Sequence, residues 1–510
     1  MNRALFGCCC GLVLFVLPSA VLAQTGAAPA APADVTASPA PRAVRPLAVD
    51  DAVARALSTN PARRSSALAA EQAKQNVRAE LGRYPYVLQG DAGHTRRSSP
   101  RLGAGDTIGS NVSRSYTVGA ALRRTFPLGT TAELRVQGER FENEIGGGAS
   151  ADLRGEGYAV VGRAALSQPL LRGAGRRIGE LELRAARVES AGAEQAVQRV
   201  TSELVRDVLT AYWELWYADE AVRIEQASLV LARQQEREAQ IRIEQGALAP
   251  ADVLTFSTRV AQLEESLVGA EAQTQQRSGE LSMLLGDVSG SALAWGAASQ
   301  PPPAQSVTSR ADVETALREG SIELAELETR VRALQTRGEA AGESSRARLD
   351  FEGYLESQGL SERVPRAFGR AAELNWVTAH VGVVGELPLD TSRGDAERAS
   401  ALLSVHIAQQ ELKAARDRIT AQASFAVSNE GALLRRVELS LRTLEVATRA
   451  YEAERARFEL GQSIPVQVQQ AEEEVRRARL RVARARVDLV EQQIAVLHLS
   501  GRLLERYLGS

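Results

Sequence analysis

The chain has 510 residues, a formal net charge of −2 and only 4% aromatic residues. The length allows two or three ordinary domains. The charge lacks the basic surplus that a nucleic-acid partner calls for, and the aromatic content is low for the core of a large α/β enzyme. Long helices packed through Ala, Leu and Val need no such aromatics.

Residues 1–23 read as a secretory signal peptide. Arg3 supplies the positive start, Leu12 to Leu17 a short apolar run, and Val21-Leu22-Ala23 the small residues for cleavage before Gln24. The three cysteines, Cys8, Cys9 and Cys10, all fall inside it, so the mature chain is expected to carry no disulfide and no thiol-based metal site. No later stretch approaches 18 continuous apolar residues, the length that marks a spanning helix; a membrane segment would have to be built from strands.

Residues 24–46 are Ala/Pro-rich and read as a leader. From Leu47 to Leu81 the apolar period is helical, through Val49, Val53, Ala56 and Leu57. Residues 83–170 change to a period of two. Tyr84, Tyr86 and Leu88 open one run, and Tyr116, Val118, Ala120 and Leu122 share a face in the next. Ala132, Leu134 and Val136 alternate with Glu133, Arg135 and Gln137, and Tyr158, Val160, Gly162, Ala164 and Leu166 form a further face. Gly/Ser/Asn-rich stretches at 98–113 and 143–157 separate these runs as loops. A helix over 176–245 follows, roughly 100 Å long at ~1.5 Å per residue. A tight break at Gly246–Pro250 leads to another helix ending near Leu285. Residues 287–309, with Pro301-Pro302-Pro303, read as a linker.

The order then repeats: a helix over roughly 310–345, strands at 349–357 and 375–387, a turn at Pro388–Gly394, and a long helix to Leu460. A break at Gly461–Pro465 and a last helix to about Leu504 complete it. Residues 47–286 and 310–510 therefore read as two copies of a helix-strand-helix unit. At a spacing of 215, Gly246 matches Gly461, Pro250 matches Pro465, Val253 matches Val468 and Gly286 matches Gly501. At 219, Pro169 matches Pro388 and Gly175 matches Gly394; at 260, Val53, Ala56 and Leu57 match Val313, Ala316 and Leu317.

The last helix carries a 3-4-3-4 seam through Val468, Ala471, Val475, Ala478, Val482, Ala485 and Leu489. Val253, Phe256, Val260, Leu263 and Leu267 repeat it in the first half. A second seam, Leu480, Ala483, Val487, Val490, Ile494 and Leu497, lies on nearly the opposite side. A helix with two such seams packs on a neighbour at each side, which builds a tube; a dimeric or filamentous coiled coil needs only one. The strands number about four in the first half and two in the second. Outer-membrane barrels begin at about eight strands, so one chain cannot close such a barrel and several must contribute. A soluble β-sandwich is the competing interpretation of the strands alone.

Chemical motifs are sparse. Gly173-Ala174-Gly175 with Gly179 has the wrong spacing for a dinucleotide site and reads as a turn. His94, His380, His406 and His498 are scattered, without metal-ligand spacing. Tyr212, Trp213, Trp216 and Tyr217 cluster in the long helix, where ordinary packing is the expected role.

Four passages together resemble the outer-membrane efflux protein family, the TolC-like channels. They are Leu47 through Ala56, Leu57, Asn60 and Pro61; Ser167-Gln168-Pro169-Leu170-Leu171-Arg172-Gly173-Ala174-Gly175; Ala211-Tyr212-Trp213; and the paired breaks Arg242-Ile243-Glu244-Gln245-Gly246 and Arg457-Phe458-Glu459-Leu460-Gly461. The resemblance spans roughly Leu47 to Gly501. It implies an α+β membrane protein: a trimeric transmembrane β-barrel in the outer membrane of a Gram-negative bacterium, continuous with a long periplasmic α-helical coiled-coil tube, built from two structural repeats per chain. The implied function is passive conduction in a tripartite efflux or type I secretion system. The implied partners are a periplasmic adaptor and an inner-membrane pump; no cofactor, metal or covalent chemistry is called for. By position, Gly246, Ala247, Leu248, Gly461, Gln462 and Ser463 would be the tips that meet the adaptor, and Asp252, Gln467 and Gln470 would line the constriction. Gln467 and Gln470 stand where the family often carries acidic rings, which weighs against an acidic, cation-sensitive gate. The family also usually has two barrel strands per half. With about four in the first half, either two form an extracellular hairpin or the barrel is larger. The competing function is a periplasmic adaptor or coiled-coil scaffold.

Overall fold

The computed structural model describes residues 44–102, 108–146, 153–245, 249–287, 294–305, 315 and 321–508. Strand β1 (Val44–Leu47) opens the fold, followed by α1 (Val49–Thr59) and α2 (Pro61–Leu81). Asn60 splits what the periodicity presents as one helix. Its side-chain oxygen accepts from the Ala62 and Arg63 N–H groups, and Pro61 starts α2 where no donor is needed.

Strands β2 (Val87–Leu102), β3 (Ile108–Thr125), β4 (Thr131–Gly146) and β5 (Leu153–Pro169) come next. A short α3 (Arg176–Gly179) precedes α4 (Leu181–Glu244), so the expected continuous helix is interrupted at Glu180. Helix α4 has 64 residues, about 96 Å at 1.5 Å per residue. After α5 (Pro250–Leu284) comes β6 (Ala294–Ala297), then α6 (Ile322–Gly338), β7 (Arg348–Ser361), α7 (Val364–Ala372), β8 (Val377–Glu386), α8 (Ser392–Glu459), α9 (Pro465–Leu499) and α10 (Arg502–Leu508). The expected last helix ends at Leu499, because Gly501 turns the chain with φ 72°.

The matched elements of the two halves agree in detail. Helices α5 and α9 each have 35 residues and begin with proline, and each ends before a glycine, Gly286 or Gly501, at φ 73° and 72°. The Gly175–Gly394 match does not extend to conformation: Gly175 has φ 87°, whereas Gly394 lies inside α8. Val313, Ala316 and Leu317 fall outside the described residues.

Each long helix carries two shorter ones along its length. Helices α2 and α5 pack on α4, and α6 and α9 pack on α8. Both seams of α9 are used. Ala485 and Leu489 pack against Val437, Leu433 and Leu434 of α8, while Ala483, Val487, Val490, Ile494 and Leu497 join Leu204, Val205 and Leu209 of α4. In α5, Val260 and Leu263 meet Leu229 and Ala232 of α4. The small residues let the helices approach closely.

The main core lies at mid-length, where the aromatic cluster of α4 is buried. Here β1 and β6 pair as a two-stranded parallel sheet, from segments that the sequence places in the leader and the linker. The Tyr212 hydroxyl donates to the Leu47 carbonyl and accepts from the Ser299 N–H, both at 2.8 Å. Asp219 accepts from the Ala297 N–H at 2.9 Å. The expected packing role of Tyr212 is therefore joined by a clamp on both chain segments.

The other six strands form one antiparallel sheet in the order β2-β3-β4-β5-β7-β8. The pairing runs the full strand lengths, from Val87↔Arg123 to Leu102↔Ile108 between β2 and β3. Four of these strands come from the first half and two from the second, as the alternation predicts.

Candidate functional site

The register sorts the sheet into two faces. Leu88, Tyr116 with Val118 and Leu122, Leu134 with Val136, Ala164 with Leu166, Leu355, and Val381 with Val383 all fall on one side. Leu88, Val118 and Val381 are 78%, 66% and 74% exposed. This continuous exposed apolar band crosses every strand and matches the lipid face of a barrel wall. The opposite face is polar. Arg135 reaches Asp91 at 2.7 Å across Gly119, where a Cβ would sit 2.8 Å from the carboxylate. The Arg163 guanidinium lies 3.9 Å from the Tyr354 ring centre, and Tyr354 stacks on His380.

Helix α7, which follows β7 in the chain and which the sequence pattern does not announce, rests on the apolar face over β5 and β7. Ala367 and Ala371 pack on Val160, and the Ser357 hydroxyl donates to the Ala371 carbonyl at 2.7 Å. Gly359 makes this approach possible, since a Cβ there would collide with the α7 backbone. The Ala367–Ala371 spacing of four, opposite a strand glycine, is the one signal of it in the sequence.

The β3–β4 turn, Phe126–Thr130, sits at the helical end of the sheet. Gly129 adopts φ 86° within it, and the Gly175 N–H donates to the Leu128 carbonyl at 3.3 Å. Gly179 lies directly against Pro127, and the Tyr84 hydroxyl donates to the Gly179 carbonyl. This turn therefore joins sheet to helices, and a Cβ at Gly179 would land on the Pro127 carbonyl. Gly179→Ala should lower the thermal unfolding midpoint by several degrees, as forced overpacking costs ~1–3 kcal/mol. Gly269→Ala, with open space around the site, should not. Circular dichroism melts in detergent would check both.

At the far end of the helices, α8 closes with a Schellman turn. The Gln462 N–H donates to the Arg457 carbonyl at 2.9 Å, and the Gly461 N–H to the Phe458 carbonyl at 3.0 Å, with Gly461 at φ 72°. Gly461 and Gln462 are exposed; Ser463 is half-buried, its hydroxyl 3.0 Å from the Gln467 amide oxygen. Gln467 and Gln470 are exposed on the first turns of α9. Gly246, Ala247 and Leu248 lie outside the described residues. Asp252 falls in α5, with its side chain likewise outside them. The two halves meet near this end, where the Arg242 guanidinium lies 5.0 Å from the Phe458 ring centre.

One charged cluster between the tips and the mid-length core, and a second beside that core, tie α9 to α4 and α5; neither shows in the sequence. In the first, Glu473 accepts from Arg259 and Arg476, each at 2.6 Å, and Arg476 also pairs with Glu225. Burial pushes the Glu473 carboxyl up, but the hydrogen bonds and charges of Arg476 and Arg259 outweigh it and hold it at about 2.

In the second cluster, Arg484 reaches Glu214 and Asp488 at 2.6 Å and Glu491 at 3.4 Å. Arg277 adds a 3.6 Å contact to Glu214. Arg436 of α8 also pairs with Asp488 at 2.7 Å, so three carboxylates meet three guanidinium groups, with Glu491 held only by the longer 3.4 Å contact. Burial, and then the neighbouring Glu214, push Glu491 up to about 7. The folded state thus holds an extra proton between the ordinary 4.5 and about 7. Stability falls as pH rises through that window, and the buried charge acts in full above it. Glu491→Gln should raise the melting temperature by a few degrees at pH 8 and leave it unchanged below pH 4.5, where both side chains are neutral. Melts at the two pH values check the sign.

The fold is that of outer-membrane channels. A membrane protein from Pseudomonas aeruginosa superimposes with a TM-score of 0.64 at 19% identity, covering 89% of this chain and 90% of that one. The CmeC outer membrane channel of Campylobacter jejuni gives 0.64 at 12%, over 89% and 86%. The outer membrane protein VceC of Vibrio cholerae gives 0.62 at 16%, over 89% and 96%. Residues 127–287 match the family model of outer membrane efflux proteins, in agreement with the resemblance seen in the sequence. No curated protein sequence matches the chain.

Proposed function

We propose that this chain is an outer-membrane channel subunit of a tripartite efflux or type I secretion system, conducting solutes passively from the periplasm and an inner-membrane pump to the exterior. The observation that carries the proposal is a six-stranded sheet with an apolar outer band and a polar inner face, set on helices long enough to cross the periplasm. No helix among the described residues is long and apolar enough to cross a membrane; the sheet is the membrane segment.

Three copies form the conduit. Apolar residues left exposed on the helices, among them Phe425 (74%), Leu254 and Val268, supply contact surface for neighbouring copies. The tips at Gly246, Ala247, Leu248, Gly461, Gln462 and Ser463 face the periplasmic adaptor, and Asp252, Gln467 and Gln470 line the constriction beside them. The charged clusters around Arg476 and Arg484 hold α9 against α4 and α5 in the closed state. Two equivalent helix-strand-helix units per chain make the tube nearly six-fold.

Carbonate extraction of membranes provides the test. Retention in the outer-membrane pellet, with loss of solute export in the deletion strain, is the expected result. Release into the carbonate supernatant would instead identify a periplasmic adaptor or scaffold.

A further inference from the structure

We infer that all six strands stand in the barrel wall, so that three chains close an 18-stranded barrel in which β2 of each copy pairs with β8 of the next. The inference rests on the three-copy channel proposed above and deepens it. Each chain supplies six contiguous strands, and three times six gives the strand number.

Three observations carry it. First, the β3–β4 pair does not stand apart as an extracellular hairpin. Its turn reaches back to the helical end, where Gly129 and Pro127 contact Pro169 and Gly179. These strands therefore run the full height of the sheet. Second, the apolar band continues to both edges, with Leu88 on β2 and Val381 on β8 among its most exposed members. Among the described residues, β2 pairs only with β3 and β8 only with β7. Edge backbone groups at membrane depth would meet no water, so they must find another strand. Third, the directions fit. Strand β2 leaves the helical end and β8 returns to it, so β2 of one copy meets β8 of the next antiparallel, like every other pair in the sheet. The 10 residues of β8 match a tilted spanning strand, usually ~9–11 residues.

Closure at this strand number sets the width. With strands ~4.8 Å apart and tilted ~40°, an 18-stranded wall is about 36 Å across, against about 24 Å for 12 strands. The cross-section is roughly 2.2-fold larger, since diameter grows about linearly with strand number. The barrel is thus built for bulkier cargo than a wall of four strands per chain would pass.

Because the natural cysteines are confined to positions 8–10, engineered pairs read cleanly. Leu88→Cys or Ala92→Cys on β2 would be combined in the full chain with Ala379→Cys or Val383→Cys on β8. The two edges lie on opposite sides of one chain's sheet, so a disulfide must join neighbouring copies. The expected result is a covalent trimer on non-reducing gels for at least one pair. Val136→Cys on β4, combined with the same β8 positions, should give none. Bridging of β8 to β4 would place β2 and β3 outside the wall and overturn the inference while leaving the channel intact. A cryo-electron microscopy map of the unmodified protein gives an independent readout: 18 strands in end view support the inference, and 12 refute it. Absence of any trimer, with release by carbonate, would sink the channel proposal itself.

Discussion

Replacing Gly461 and Gly246 together by valine should reduce export to the level of the deletion strain while leaving the trimer assembled. Gly461 occupies the left-handed region at φ 72° and closes the Schellman turn after α8. A β-branched residue is strained there by ~1–3 kcal/mol. A Cβ at this site would have no neighbour within 4 Å, so the strain does not propagate into packing. The turn relaxes locally and redirects Gln462 and Ser463, which, on the docking role proposed for the tips, spoils the surface offered to the adaptor. The exposed helix residues and sheet edges proposed to join the copies lie elsewhere and are untouched. Gly461→Asn is the informative companion, since asparagine tolerates this conformation. It should keep most of the export that valine loses. Export assays beside trimer bands on gels would check this, and full export by the double valine variant would remove the tips from the docking surface.

The tip shows what a sequence exposes readily. A glycine beyond a long apolar period, followed four residues later by proline, is a local signal, and the turn it makes is closed by local hydrogen bonds. The α9 seams were legible for the same reason: Ala485 and Leu489, and Val487 and Ile494, recur at fixed spacing whichever neighbour they meet. The strands were legible only where side chains alternate. Strand β2 continues to Leu102 through Arg96-Arg97-Ser98-Ser99-Pro100 because β3 holds its backbone, a ladder that no side-chain pattern reports. Strand β6 is four residues long and pairs with β1, some 250 positions earlier. Neither segment carries a period of its own. Helix α7 hid in a charged stretch because only Ala367 and Ala371 face the sheet. The Arg476–Glu225 pair joins residues 251 positions apart, so only the register between α9 and α4 reveals it.

That cluster supports the second large effect. Arg476→Ala should lower stability by ~3–5 kcal/mol, the usual consequence of stranding buried carboxylates after their partner is removed. Glu225 and Glu473 have side chains only 6% and 16% exposed, and Arg476 binds both oxygens of Glu473, at 2.6 and 2.8 Å. The pH dependence identifies the cause. Glu473 titrates at about 2 in the folded chain against an ordinary 4.5, so its contribution is present above the ordinary value and is lost as pH falls through that window. In the variant the carboxyl rises toward or above its ordinary value, and the melting temperature should change less between pH 4.5 and 2 than it does in the natural protein. A lesion of packing alone would shift the whole curve and keep its slope. Arg476→Lys separates charge from geometry, since lysine keeps the charge but loses the two-pronged contact. It should fall between the two. If the cluster also holds α9 in the closed state, Arg476→Ala should admit large polar dyes that the outer membrane normally excludes. Unchanged dye entry beside a lowered melting temperature would confine Arg476 to the scaffold.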